Sequence, residues 1–81
     1  MKVKVRVFAG LKDYFAPQLE LEMQGDKPCI ASIRHELLNM NPDAAALMEL
    51  CRFAAGNEFV EATYQVQNGE VVSFLPPSSG G

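Results

Sequence analysis

At 81 residues the chain has room for one small domain and a modest core. Its 48% hydrophobic and 21% charged content is that of a globular protein and excludes an intrinsically disordered chain. A net charge of −3 argues against the basic footprint of a general nucleic-acid binder, and no apolar run approaches the ~20 residues that cross a bilayer.

Met1-Lys2-Val3-Lys4 lacks the apolar region of a signal peptide, so a cytoplasmic protein with no membrane association is expected. Cys29 and Cys51 are too few for a disulfide framework. With His35 as the single histidine they are also too isolated for a zinc site, so no metal is expected and both cysteines are assigned to the core. One histidine and scattered serines supply no nucleophile–base–orienter set, and there is no P-loop, GxGxxG or HExxH. Whatever this chain brings to a reaction, it is not a conventional active site.

Lys2-Val3-Lys4-Val5-Arg6-Val7-Phe8 alternates with period two, a strand with its valines on one side and Lys2, Lys4, Arg6 and Phe8 on the other. Gly10 breaks the pattern, and Leu11-Lys12-Asp13-Tyr14-Phe15 reads as a short helical turn ahead of Pro17. Leu19-Glu20-Leu21-Glu22-Met23 alternates again, a second strand antiparallel to the first if the connection is a hairpin.

Pro28 is placed as a first helical residue. Ile30, Ile33, Leu37 and Leu38 then recur at helical spacing, and Asn41-Pro42 ends this principal helix, with His35 off its apolar stripe. Asp43 is assigned as the cap of a short helix over residues 44–50. Arg52-Phe53-Ala54-Ala55 reads as a strand followed by a Gly56-Asn57 turn, and Phe59-Val60 as the start of another extended piece. Residues 61–67 carry no clear pattern. Asn68-Gly69 is a strong turn signal, and Glu70-Val71-Val72-Ser73-Phe74-Leu75 forms the last strand.

Strand, strand, helix, strands is an α+β order: a small mixed sheet with one principal helix on one face. This predicts a ubiquitin-like β-grasp over residues 1–75, with the last strand beside the first. If Val72 and Phe74 point to the helix, Leu75 points away and joins Phe8 on the open face, with Phe59 or Val60 beside them. Apolar residues grouped there form a candidate docking patch.

Residues 76–81 are Pro76-Pro77-Ser78-Ser79-Gly80-Gly81. Proline favours extended backbone, so Pro76 and Pro77 are expected to project this segment, which at up to ~3.6 Å per residue spans about 20 Å. Gly80 and Gly81 lack a Cβ and fit a slot that no other residue would enter. The bland reading is a linker-like end of Ser and Gly.

The Val7-Phe8-Ala9 strand end, the Asn68-Gly69-Glu70-Val71 turn and Phe74-Leu75-Pro76-Pro77-Ser78-Ser79-Gly80-Gly81 resemble the MoaD/ThiS family of ubiquitin-like sulfur carriers, over the whole chain. The likeness is strongest to its molybdopterin synthase small-subunit branch, to which Pro-Pro before the tail points. The resemblance implies that a MoeB-like partner adenylates the Gly81 carboxylate with ATP and that a sulfur donor protein converts it to a thiocarboxylate. It further implies that Pro76, Pro77, Ser78, Ser79 and Gly80 insert into a MoaE-like large subunit, in a heterotetramer. There the sulfur passes to cyclic pyranopterin monophosphate in molybdenum cofactor biosynthesis. The chain would bind no cofactor and act as a non-catalytic carrier. A ThiS-like carrier for thiazole, cysteine or tRNA thiolation, a ubiquitin-like modifier conjugated to lysines, and an interaction domain with an inert tail remain as alternatives.

Overall fold

A computed structural model of the protein describes residues 1–25 and 27–77. Strand β1 (Lys2–Val7) leads through a 3-10 turn at Ala9–Asp13 into β2 (Gln18–Glu22), then the helix α1 (Ile30–Met40). A 3-10 turn at Pro42–Ala44 and the single-turn α2 (Ala45–Met48) follow, then β3 (Arg52–Ala55), β4 (Glu58–Val60) and β5 (Val71–Leu75). The sheet order is β2-β1-β5-β3-β4. β5 runs parallel to β1 and antiparallel to β3, and β1–β2 and β3–β4 are antiparallel, so the sheet is mixed as expected.

The alternation in β1 does what its period requires. Val3, Val5 and Val7 are buried and Lys2, Lys4 and Arg6 exposed. Opposite them, Val72 and Phe74 of β5 are fully buried. α1 lays Ile30, Ile33 and Leu37 onto this layer, and Leu11 and Met48 close the core from the two connections. Fully burying an aliphatic or aromatic side chain of this size stabilises by about 1.5–3 kcal/mol. Phe53 meets Phe74 edge to face at 5.4 Å between ring centres.

Two assignments of helix starts are corrected by the structure. Pro28 is not the first helical residue: α1 begins at Ile30, with Cys29 extended at the N-cap. Ser32 Oγ accepts from Cys29 N–H at 3.1 Å and donates to the Cys29 carbonyl at 2.7 Å. Pro28 instead lies alongside residues 61–67, the stretch without a sequence pattern. Val66 N–H donates to the Pro28 carbonyl at 2.8 Å, and Ile30 and Ala31 donate to the carbonyls of Tyr64 and Ala62. Helix-start donors have no intrahelical acceptor, and here the 61–67 segment supplies it. Cys29 is therefore a cap residue and not part of the core, whereas Cys51 packs against the core.

The second correction concerns Asp43. Asn41, not Asp43, caps the following turn, its side chain accepting from Asp43 N–H at 3.2 Å while its amide donates to the Tyr14 carbonyl. The short helix itself spans only Ala45–Met48 within the expected 44–50. Gly10 lets this element come close: a Cβ there would stand 3.1 Å from Leu47 Cδ2. His35 is exposed on α1.

Candidate functional site

The face of the sheet away from α1 is built by register. Arg6 of β1 stands between Gln18 of β2 and Ser73 of β5; Ala54 of β3 follows beside Ser73, and Phe59 of β4 beside Ala54. Along β5, Leu75 shares this face with Ser73 and is paired with Arg52. Val7 pairs with Phe74, so Phe8, the next residue, lies level with Leu75 where both strands end. Three of the four expected patch residues, Phe8, Leu75 and Phe59, thus reach the open face near the outlet of β5.

Their exposure is graded. Phe59 is 62% exposed, while Phe8 and Leu75 are half-buried. Val60 departs from the expected patch. It pairs with the inward-facing Phe53 and packs against the hydrophobic core, because successive side chains of a strand alternate between faces. Pro76 is buried and Pro77 exposed. Ser78, Ser79, Gly80 and Gly81, expected to form the inserting tail and its reactive end, lie outside the described residues.

Arginines complete the patch, and the sequence reading did not single out Arg52. The Arg52 guanidinium stands 4.0 Å from the centre of the Phe59 ring, and that of Arg6 stands 5.3 Å from Phe8. A signal was present. The Gly56-Asn57 turn pairs Ala55 with Glu58 and Ala54 with Phe59, which sets Arg52 diagonally across from Phe59 on one face. An open depression of about 300 Å³ beside them is lined by Arg52, Phe59 and Glu61.

Further from the outlet the same face is charged. Lys2 faces Glu22 and Lys4 faces Glu20, opposite-charge pairs across β1 and β2. Lys4, Arg6, Glu20 and Val71 border an open depression of about 670 Å³. Elsewhere, Tyr64 Oη donates to the Glu70 carboxylate at 2.8 Å, and Gln67 N–H donates to it at 2.7 Å, which ties the 64–70 loop together before β5 begins. The hydrogen bond to Glu70 holds the Tyr64 phenol above its usual pKa.

The two thiols differ. The Ser32 backbone N–H, aided by its hydroxyl, holds the Cys29 thiol below its usual pKa despite partial desolvation; burial pushes Cys51 up to about 11. Among the described residues no three His, Cys, Asp or Glu side chains gather to hold a metal ion. The arrangement suits docking: apolar and cationic groups on a rigid sheet, at the point where the chain leaves it.

No family model matches the sequence, and no curated protein matches it by sequence comparison. Solved structures do. Small archaeal modifier protein 1 from Haloferax volcanii superposes with a TM-score of 0.85 over 100% of both chains at 13% identity. The chain has the ubiquitin-like β-grasp fold. The protein of the same name from Methanosarcina acetivorans matches 99% of this chain and 96% of its own at a TM-score of 0.76 and 20% identity. A complex of subunits 1 and 2 of molybdopterin-converting factor from Helicobacter pylori 26695 supplies a match over 100% of both chains, with a TM-score of 0.71 and 22% identity. At these identities the likeness establishes the β-grasp. Among the described residues no helix of this domain is long and apolar enough to cross a membrane.

Proposed function

We propose that the chain is a sulfur carrier, the small subunit of a molybdopterin synthase. The observation that carries this reading is the path of β5. It is paired on both sides, between β1 and β3, and passes from Leu75 directly into Pro76-Pro77 and the Gly80-Gly81 sequence, beside the patch of Phe8, Leu75 and Phe59. A rigid outlet flanked by a docking surface is what a reactive Gly-Gly end needs in order to be delivered into another protein.

The chemistry belongs to the Gly81 carboxylate. A carboxylate resists attack by a nucleophile. Its reaction with ATP on an adenylating MoeB-like partner forms an acyl-adenylate and releases pyrophosphate. Hydrosulfide delivered by a sulfur donor protein then bonds to the acyl carbon as the bond to AMP breaks, and loss of the S–H proton leaves a thiocarboxylate. In the MoaE-like large subunit the thiocarboxylate sulfur bonds to a carbon of cyclic pyranopterin monophosphate. Water then cleaves the resulting thioester at its acyl C–S bond, returning Gly81 to its carboxylate and leaving the sulfur on the pterin as a thiol. Acid–base residues come from the partners, and the chain itself is a non-catalytic subunit of a cytoplasmic heterotetramer. The Helicobacter pylori structure, a complex of subunits 1 and 2, supports this pairing.

A second reading, a ubiquitin-like modifier conjugated to lysines, is favoured by the likeness to small archaeal modifier proteins. Both readings begin with adenylation and then diverge. Incubation with an activating enzyme, ATP and sulfide is expected to give the intact-mass shift of one oxygen replaced by sulfur. Deleting Gly81 is expected to abolish ATP–pyrophosphate exchange. Exchange unaffected by the deletion overturns the carrier reading, and accumulation of isopeptide-linked targets without a thiocarboxylate selects the modifier.

A further inference from the structure

The basic residues of this acidic protein are unevenly placed. Four of its seven Lys and Arg residues, Lys2, Lys4, Arg6 and Arg52, occupy open-face positions of the sheet, although the chain carries a net −3. Two of the four are matched in place, Lys2 by Glu22 and Lys4 by Glu20. The other two have no acidic residue opposite them within the paired strands. Arg6 is flanked in the sheet by Gln18 and Ser73, and Arg52 by Leu75. The two arginines thus sit on the strands that flank β5, at its outlet, with Glu61 opposite Arg52 just past the end of β4.

Both arginines are stacked on aromatic rings, Arg6 on Phe8 and Arg52 on Phe59. A guanidinium lying on a ring keeps its N–H edge free for a carboxylate, and the ring limits the side-chain freedom that binding would otherwise have to remove. Lysine offers neither advantage. Two strand spacings of about 4.8 Å and a two-residue offset of about 3.3 Å per residue put the Cα atoms of Arg6 and Arg52 about 12 Å apart, with Leu75 between their strands. Glu61, one residue past the end of β4, continues the β3–β4 register opposite Arg52 and lines the same depression, while the Arg52 guanidinium itself lies over the Phe59 ring.

We propose that Arg6 and Arg52 form a two-pronged carboxylate-binding site, which seats an acidic protein surface astride β5. The partner presents two Asp or Glu side chains about 12 Å apart on either side of an apolar hollow that takes Leu75 and Phe59. The pair sets the register in which residues beyond Leu75 are delivered. This rests on the carrier reading for the identity of the partner, and not for the chemistry of the site.

The first test uses a short polyglutamate peptide as probe, followed through the Nε–H resonances of the arginines. Saturable shifts at Arg6 and Arg52 are expected. Arg6→Gln and Arg52→Gln each raise the peptide Kd about tenfold, the loss of one charge-assisted contact. Lys4→Gln changes Kd by less than about twofold, since Glu20 already opposes it. No shift at either arginine, or equal shifts with inorganic phosphate alone, overturns the proposal. The second test is ATP–pyrophosphate exchange with the activating enzyme. The Arg6→Gln/Arg52→Gln protein is expected to raise KM for the carrier at least tenfold with kcat within about twofold, and Arg→Lys at both positions to recover little of it. A fall in kcat at unchanged KM overturns the docking role. A wild-type chain that supports no exchange counts against the carrier reading, and the peptide titration then decides the arginine site by itself.

Discussion

The Arg52 guanidinium lies 4.0 Å from the centre of the Phe59 ring, and the backbone of Arg52 is paired with Leu75, the last residue of β5. One residue thus joins the edge strand β4, through its side chain, to the strand from which the chain leaves the sheet, through its backbone. A cation over an exposed ring contributes about 0.5–1 kcal/mol. Phe59→Ala is therefore expected to lower stability by no more than about 1 kcal/mol in urea titrations, while partner affinity falls at least tenfold by calorimetry. A loss of several kcal/mol in folding would move Phe59 into the core.

Neighbouring residues on β4 are expected to respond in opposite ways. Phe59→Asp leaves the domain folded, because its side chain is on the open face. Val60→Asp puts a carboxylate among Phe53 and the core residues and costs about 2–4 kcal/mol. Phe8→Asp and Leu75→Asp are expected to weaken partner binding with the fold retained, and an unfolded circular dichroism spectrum for either one assigns that residue to the core.

Ala9 has φ of 51°, in the left-handed region that glycine adopts without steric cost. Ala9→Gly is expected to stabilise the domain by about 0.5–1 kcal/mol, the steric relief exceeding the added freedom of the unfolded chain. That corresponds to a rise of roughly 2–8 °C in Tm for a domain of this size. The opposite substitution at Gly69, whose φ is 88°, is expected to destabilise the turn before β5.

The thiols are predicted to separate by rate. Alkylation by iodoacetamide near pH 8, followed by peptide mapping, is expected to label Cys29 well before Cys51. The thiolate is the nucleophile, and it is favoured at Cys29 and opposed by burial at Cys51, whose pKa is about 11. Equal rates would show that the Ser32 contacts do not hold in solution.

Tyr64 predicts an alkaline dependence. Its folded pKa is raised above the ordinary 10 by the hydrogen bond to Glu70, so the folded state binds the proton more tightly than the unfolded chain. The contribution is fully present below pH 10 and is lost as pH rises through the raised folded value. Tyr64→Phe is expected to flatten this alkaline loss in pH-dependent urea unfolding, and an unchanged profile would place its origin elsewhere.

Much of this architecture was legible because its signals are local. The period-two runs at 2–8 and 19–23, the helical spacing of Ile30, Ile33 and Leu37, and the Asn68-Gly69 turn each act within a few residues, and all appear in the structure. Residues 61–67 were illegible because their hydrogen bonds run to Pro28, Ile30 and Ala31, more than 30 positions away. Pro28 and Asp43 misled for the same reason. Each has a plausible local role, and the caps were decided instead by Ser32 at Cys29 and by Asn41, which also reaches Tyr14.

The sequence by itself determined the elements, the inward valines of β1 and the Pro76-Pro77 and Gly80-Gly81 pairs that follow β5, because periodicity and composition are properties of neighbours along the backbone. Only the tertiary structure decided that Phe59 faces out and Val60 in, that Arg52 meets Leu75, and that two ring-stacked arginines flank the outlet of β5. Those relationships depend on strand register across the sheet. Register is fixed when α1 covers one face of all these strands at once, and no stretch of a few residues contains that information.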